Sequence, residues 1–238
     1  MASSRRPGLR PRCRLALALL ALVAVPLNGV VAQEQGETDG GPEGIVASEE
    51  YWAGLIAFKA RDYEAALTAW QELLAANPDA NVVLLRMAET HRALGNGAAE
   101  EASLKRLLAT DPDNVGVTLT LAQAYIRADR EADADRLFAE ILAADPDNAS
   151  MHVGVGDTYL KERRHKSALA SYDRALAMDP ELAVLHKQIG LAHVQGRDLA
   201  EAAAAFEKFL EMEPPDSGDA ENIRKLLEAV EAQQGTTQ

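Results

Sequence analysis

The sequence predicts an all-α fold of five stacked helix pairs, and three observations support this: a proline repeat, helical apolar spacing and composition. Five of the ten prolines recur at intervals of 34 residues: Pro78, Pro112, Pro146, Pro180 and Pro214. Between successive prolines, apolar residues with helical spacing form two blocks separated by a short polar break. Ala, Leu and Glu dominate these blocks and favour helix, whereas aromatic residues make up only 5% of the chain.

The prolines divide most of the chain into five units of 34 residues, which are 47–80, 81–114, 115–148, 149–182 and 183–216. The first helix of each unit should end at the polar break, near residues 60–62, 94–96, 128–130, 162–164 and 196–198. One antiparallel pair cannot bury its apolar face alone, so the units are expected to stack on one another.

Small and bulky residues alternate between the two helices of a unit. Each first helix carries a small residue that should let the second helix approach closely: Gly54, Ala88, Ala122, Gly156 and Gly190. Bulky side chains of the second helices are expected to fill the space between units: Trp70, Phe138, Tyr172 and Phe206. The second unit departs most, with Glu100 in place of a small alanine, so its local packing should differ while its register is kept.

Residues 1–32 have the pattern of a secretory signal peptide. Five arginines precede the unbroken apolar run 15–25, and small residues stand before Gln33. We expect cleavage after Ala32, which would place the mature protein in the periplasm or outside the cell. The alternative is a retained membrane anchor, because residues 15–32 approach the shortest length that spans a bilayer. Cleavage would change the net charge from −13 to −18 and remove Cys13, the single cysteine of the sequence.

The two ends of the repeat region have different compositions. Residues 33–46 are rich in Gly and Glu and lack periodicity, which predicts a flexible linker. Residues 217–238 are expected to form a capping helix that begins near Asp219 and buries the apolar stripe from Ile223 to Val230. The tail from Gln234 onward is expected to be frayed.

The repeat resembles the tetratricopeptide repeat, a helix–turn–helix unit of 34 residues with the same small, aromatic and proline positions. The resemblance covers residues 47–216 in five copies of one register. It implies a right-handed superhelical solenoid of antiparallel helix pairs with a C-terminal capping helix. It further implies a concave groove, lined by the first helix of each unit, that binds a protein or peptide.

The resemblance selects fifteen residues as the lining of that groove, and they mix apolar side chains with charged ones. In chain order they are Tyr51, Leu55, Lys59, Leu85, Glu89, Arg92, Leu119, Gln123, Arg127, Val153, Asp157, Lys161, Lys187, Leu191 and Gln195. A groove of this kind suits an extended peptide or a partner helix, because apolar contacts provide affinity and charges set the register.

Four basic members of this set stand out in an acidic chain: Lys59, Arg92, Arg127 and Lys161. One hypothesis is that they form a positive track for acidic or carboxylate-bearing segments. The alternative is that they lie along the protein surface and pair with neighbouring carboxylates such as Glu89 and Asp157.

No motif of catalysis or metal binding accompanies the repeats. The sequence contains no phosphate-binding loop, nucleophile elbow, HExxH stretch or paired-cysteine site. Its five histidines form no recognised ligand pair, since His186 and His193 would lie about 10.5 Å apart along one helix. We therefore expect no enzyme activity, no cofactor and no metal. The excess of acidic over basic residues argues against nucleic acid and anionic lipid as partners.

The sequence thus predicts an exported scaffold that recruits or organises a protein partner in a bacterial envelope assembly. An anchored subunit of a secretion, pilus or cytochrome-maturation complex is one alternative. A hydrolase or carbohydrate-binding module on a helical-repeat scaffold is an alternative from another class. The partner's identity and the oligomeric state stay open.

Overall fold

The computed structural model describes residues 42–237, and every regular element in this range is an α-helix. The helices are α1 (Pro42–Ala47), α2 (Glu49–Lys59), α3 (Tyr63–Ala76), α4 (Asn81–Ala93), α5 (Gly97–Thr110), α6 (Val115–Arg127), α7 (Glu131–Ala144), α8 (Ala149–Lys161), α9 (His165–Met178), α10 (Ala183–Gly196), α11 (Leu199–Met212) and α12 (Gly218–Thr237). From α2 to α11, each even-numbered helix is the first of a unit and the next is the second. The all-α stack of helix pairs is as predicted.

Each pair turns back at a residue with left-handed backbone conformation. These residues recur every 34 positions, with φ between 55° and 75°: Arg61, Gly95, Asp129, Arg163 and Arg197. Glycine adopts this conformation freely, whereas another L-residue loses roughly 1–2 kcal/mol in it. Four of these five turns therefore use a residue that the conformation disfavours, and three of the four are arginines.

The aromatic residue of a second helix packs directly on the small residue of its own first helix. A β-carbon on Gly54 would lie 2.7 Å from the Trp70 ring, and one on Gly156 would lie 2.4 Å from the Tyr172 ring. Trp70 also donates a hydrogen bond from Nε1 to Oγ1 of Thr90 in the next unit, over 3.2 Å. These side chains therefore hold each pair together as well as filling the space between units.

The second unit keeps its register although its small alanine is replaced. Glu100 occupies the position of Ala66 and Ala134 and is only 3% exposed. Its Oε1 accepts a hydrogen bond from Nη2 of Arg127 in the third unit, over 2.6 Å. The larger buried group is thus accommodated by an ion pair with the neighbouring unit.

A short helix precedes the first predicted repeat. Helix α1 starts at Pro42, and Ile45 is buried in one apolar cluster with Tyr51 and Trp70. The prediction of a flexible linker is therefore wrong for residues 42–46, because one apolar side chain anchors a segment that is otherwise Gly- and Glu-rich. The expected signal peptide, the cut after Ala32 and residues 33–41 lie outside the described residues. Among the helices of 42–237, none is long and apolar enough to cross a membrane.

Helix α12 covers the last unit as a cap. Ile223 and Val230 pack against Phe206 and Phe209 of α11. The opposite side of α12 is polar and exposed: Glu221, Arg224, Lys225 and Glu228. The helix continues to Thr237, so the tail predicted to be frayed from Gln234 is helical as far as that residue.

The first unit leaves its outer face uncovered. Trp52 and Ile56 of α2 are 49% and 57% exposed. The residues at the position of Ile56 in the later units are all buried: Thr90, Ala124, Thr158 and Ala192. Thr90 contacts Trp70 of the preceding unit. The side of α2 that would stack on a preceding unit therefore meets solvent in the described part of the chain.

Candidate functional site

The first helices α2, α4, α6, α8 and α10 lie side by side and form one surface, here called the first-helix wall. Hydrogen bonds join neighbouring first helices at three junctions: Arg86 Nε to Tyr51 Oη (3.2 Å), Gln123 Nε2 to Glu162 Oε1 just after α8 (2.8 Å), and Gln188 Nε2 to Asp157 Oδ1 (2.8 Å). Leu119 lies 3.1 Å from where a β-carbon on Gly154 would stand. These contacts place neighbouring first helices side by side at three of their four junctions, and with them most of the predicted groove residues.

Tyr51 is a correction to the predicted groove, because it belongs to the core. It is 4% exposed, and its ring centroid lies 5.3 Å from that of Trp70. Its hydroxyl accepts the hydrogen bond from Arg86, a residue that the sequence analysis did not select. A ligand on the wall would therefore meet the Arg86 side chain rather than the tyrosine ring.

Six other predicted groove residues form hydrogen bonds within the protein. They are Glu89 with Arg86, Gln123 with Glu162, Arg127 with Glu100 and Glu162, Asp157 with Tyr172 and Gln188, Lys187 with Asp219, and Gln195 with the Leu160 carbonyl. The Tyr172 hydroxyl donates to Asp157 over 2.7 Å. Burial, together with this bond, raises the pKa of Tyr172, so the phenol stays protonated as a donor. These side chains mainly fix the wall's shape.

Arg127 connects three consecutive units. Its Nη2 lies 2.6 Å from Glu100 of the second unit, and its Nη1 lies 3.2 Å from Glu162 of the fourth. The two carboxylate side chains are 4% and 15% exposed, and the arginine side chain is 27% exposed. The two carboxylates outnumber the one guanidinium, so the cluster offers no free positive charge. The hypothesis of an uninterrupted positive track through Arg127 is therefore wrong at the third unit.

The other three cations of the hypothetical track stay available, whereas Lys187, the remaining basic residue of the groove set, pairs with Asp219. Lys59, Arg92 and Lys161 are exposed, and they form no ion pair with any described residue. Each lies in the last turn of its helix, so the three occupy one edge of the wall. The pairing alternative is thus wrong for these cations, since Glu89 binds Arg86 and Asp157 binds Tyr172 and Gln188.

Apolar side chains occupy the middle of the wall beside that edge. Those of the predicted set are half-buried: Leu55, Leu85, Leu119, Val153 and Leu191. Each is packed on one side against the core and leaves part of its surface accessible. The wall therefore combines a broken apolar strip with an edge of exposed cations, which can bind a segment through both kinds of contact.

The histidines lie in the packing between helices. His152 is 7% exposed, and burial followed by the charge of Arg174 lowers its pKa. Burial followed by the charge of Lys208 lowers the pKa of His186, which holds the same position one unit later. No group of three or more His, Cys, Asp or Glu residues within 42–237 is arranged to hold a metal ion.

A stack of antiparallel helix pairs with a 34-residue period and a wall of first helices is a helical-repeat solenoid. Models of the tetratricopeptide repeat match residues 52–115, 97–153 and 156–228 of the chain. The protein therefore belongs to the tetratricopeptide repeat family, as the sequence indicated. This repeat fold is generally a scaffold for protein interaction rather than for catalysis, so the expected partner is a protein or peptide.

The solved structures that are similar to this chain share little sequence with it. The crystal structure of TTC0263, a thermophilic repeat protein of Thermus thermophilus, has a TM-score of 0.50 at 22% identity, covering 80% of this chain and 98% of that one. PilW, a type IV pilus biogenesis factor, has 0.49 at 20% identity, with coverage of 77% and 90%. MamA from Desulfovibrio magneticus RS-1 has 0.48 at 18%, with coverage of 71% and 96%. None of the curated proteins matches the chain.

Proposed function

We propose that the protein is an exported scaffold that binds an extended or helical segment of a partner protein on its first-helix wall. The observation that carries this proposal is the pairing of half-buried Leu85, Leu119 and Val153 with the exposed cations Arg92 and Lys161. Apolar side chains that are already ordered lose little entropy on binding. Unpaired cations fix the orientation in which the segment binds.

The partner segment should combine apolar side chains with carboxylates. Its apolar residues would contact the middle of the wall, and its acidic residues would lie along the edge of Lys59, Arg92 and Lys161. The closed Arg127 cluster divides this edge, so the contacts should fall into an N-terminal and a C-terminal part. Binding should weaken as salt is added, because exposed charges are screened.

We further propose that the scaffold works in a bacterial envelope assembly. The support is the signal-like pattern of residues 1–32, with five arginines followed by an apolar run. Mass spectrometry of the native N-terminus tests this part of the proposal. A chain that starts at Gln33 supports export with cleavage. Retention of residues 15–32 in the membrane fraction would instead identify an anchored subunit, and a full-length protein in the cytoplasm would contradict export.

Photo-crosslinking in the native host tests the binding surface. A photoreactive amino acid replaces Arg92 or Lys161 on the wall, and in a matched control it replaces Arg136, which is 75% exposed on the second helix α7. We expect one partner to be crosslinked from positions 92 and 161 and not from 136. Equal yields at all three positions, or adducts from 136 alone, would remove the wall as the binding surface.

The identified partner then allows a quantitative test. Replacing Arg92 and Lys161 by glutamate should raise the Kd for that partner by about tenfold or more, because two attractive contacts become repulsive. The substitution Arg136→Glu should leave the Kd within about twofold. Unchanged affinity in the double variant would contradict the electrostatic part of the proposal.

A further inference from the structure

A second basic surface lies at the turns of the fourth and fifth units, away from the middle of the wall. We call it the turn patch, and it consists of Arg163, His165, Lys166 and Arg197. Arg163, Lys166 and Arg197 are exposed, and none of them forms an ion pair or side-chain hydrogen bond within 42–237. The two turns touch, since a β-carbon on Gly196 would lie 3.0 Å from Cδ2 of His165.

The neighbouring charges leave the turn patch with a positive excess. Arg164 is neutralised by Asp129 (2.8 Å) and Glu131 (2.7 Å) of the preceding unit, and Glu162 is paired with Arg127. The fifth unit supplies two exposed carboxylates, Asp198 and Glu201, just after Arg197 in the chain. Three free cations and one histidine therefore face two carboxylates, in a chain whose net charge is −13.

The fourth unit differs from the others at the start of its second helix. The first turns of α3, α5, α7 and α11 each contain an acidic residue, namely Glu64, Glu100, Glu131 with Asp133, and Glu201. The first turn of α9 contains none and carries His165 and Lys166 instead. A hollow of about 240 Å³ is lined there by residues 163–167. The basic charge is thus concentrated around one concave feature.

Arg163 and Arg197 hold their places at a conformational cost. Both have left-handed backbones, with φ of 60° and 66°, whereas the second unit uses Gly95 at this position. Arginine there disfavours the fold relative to glycine by roughly 1 kcal/mol. Arg61 of the first unit bears the same cost, so the patch is distinguished by the adjacency of two such arginines rather than by the cost itself.

We propose that the turn patch binds an acidic segment of a partner polypeptide, whose carboxylates bind Arg163, Lys166 and Arg197. The patch is small, and the neighbouring turn of the third unit carries the exposed acids Asp129 and Glu131, 86% and 53% exposed. A short acidic segment can bind the three cations without reaching these two acids. A DNA duplex or an anionic membrane would also meet these acids and be repelled. The proposal does not depend on occupation of the first-helix wall.

The test uses substitutions that remove charge without harming the fold. Arg163→Gly and Arg197→Gly together delete two cations and relieve two strained turns, so the double variant should be at least as stable as the parent. Arg61→Gly is the matched control, because it removes the same charge at the same turn position of the first unit, with φ of 61°. Urea unfolding of each variant checks the folding expectation.

Binding is measured by fluorescence anisotropy with a glutamate-rich peptide and its glutamine counterpart, on the purified protein at low salt. We expect only the acidic peptide to bind, with a Kd that rises about tenfold in the double variant and less than about twofold in Arg61→Gly. Equal binding by the double variant and the control would overturn the proposal. So would phosphatidylserine vesicles or a DNA duplex that bind more tightly than the peptide and lose binding in the same double variant.

Discussion

Single residues decide how closely the two helices of a unit approach. A β-carbon on Gly156 would lie 2.4 Å from Tyr172 Cε1, inside the contact distance that real side chains show. Gly156→Ala should therefore destabilise the protein by about 1–3 kcal/mol through overpacking. Gly116→Ala is the control, since the nearest atom there is Asn114 Oδ1 at 3.5 Å, and alanine favours helix. Urea unfolding gives both values, and equal effects at the two glycines would contradict the close-contact explanation.

The buried Glu100 depends on Arg127 for its charge compensation. Arg127→Met should cost about 2–3 kcal/mol, because it leaves a carboxylate that is 3% exposed without its cation. Adding Glu100→Ala, which restores the alanine of the other units, should recover most of this loss. Unfolding free energies of the parent, the two single variants and the double variant form the required cycle. Strictly additive effects would show that the pair is not coupled.

Histidines that are buried or half-buried should make the protein less stable as the pH falls. Burial is the largest cause that lowers the pKa of His91, His152 and His186 in the folded state. Below about pH 6.5 the unfolded chain binds protons that the folded chain does not, so the free energy of unfolding decreases. Unfolding measured between pH 7.5 and 5.5 should show this decline. His152→Gln should make it shallower, and an unchanged slope would contradict the explanation.

Structural features that are set by one local sequence pattern could be predicted from residue types alone. The small residues of the first helices and the aromatic residues of the second were identified correctly, because packing forces them to recur. The partners of Arg127 could not be predicted, since Glu162 lies 35 residues away and its proximity depends on how units stack. Glu100 at a position otherwise held by alanine was the available signal that a cation had to lie nearby.

At the scale of the element, the first helix pair depends on α1. Ile45 is 5% exposed and joins the cluster of Tyr51, Trp70 and Val83. Ile45→Ala should remove about 2 kcal/mol of packing energy from this cluster. Hydrogen exchange should then become faster in α2 and α3 and stay unchanged in α8 and α9, because units stabilise mainly their neighbours. Uniform acceleration across all helices would contradict local action of α1.

Helix boundaries could be predicted from the sequence where prolines and polar breaks recur. The prediction failed for the short helix α1. The six residues of α1 contain one buried apolar side chain, which is too few to show a period. Most residues that line the first-helix wall were predicted, because the position of a residue along a helix determines the side to which its side chain points. The burial of Tyr51 was not predicted, since it depends on contacts with Trp70 and with Ile45 of the unpredicted helix α1.

At the scale of the whole molecule, one helix position is exposed in the first unit and buried in the later units. A charged side chain at this position should therefore be tolerated only in the first unit. Ile56→Lys should change the free energy of unfolding by no more than about 0.5 kcal/mol, because the side chain is 57% exposed. Ala124→Lys places the same charge at the equivalent position of the third unit, which is 8% exposed, and should cost several times more. Urea unfolding compares the two. A large loss from Ile56→Lys would mean that this face is covered in the protein.

The unlike ends of the stack also determine how the array can be lengthened. Helix α12 closes one end with Arg224, Lys225 and Glu228 directed to solvent, and Leu226 is its one exposed large apolar side chain, so a module fused there would find little apolar surface to pack on. Within residues 42–237, Trp52 and Ile56 are exposed at the other end, where the second helix of a preceding unit would pack. A sixth repeat grafted upstream, in the 34-residue register and in place of α1, would continue the same core. The repeat stack should therefore accept further units at its first pair and not at its cap.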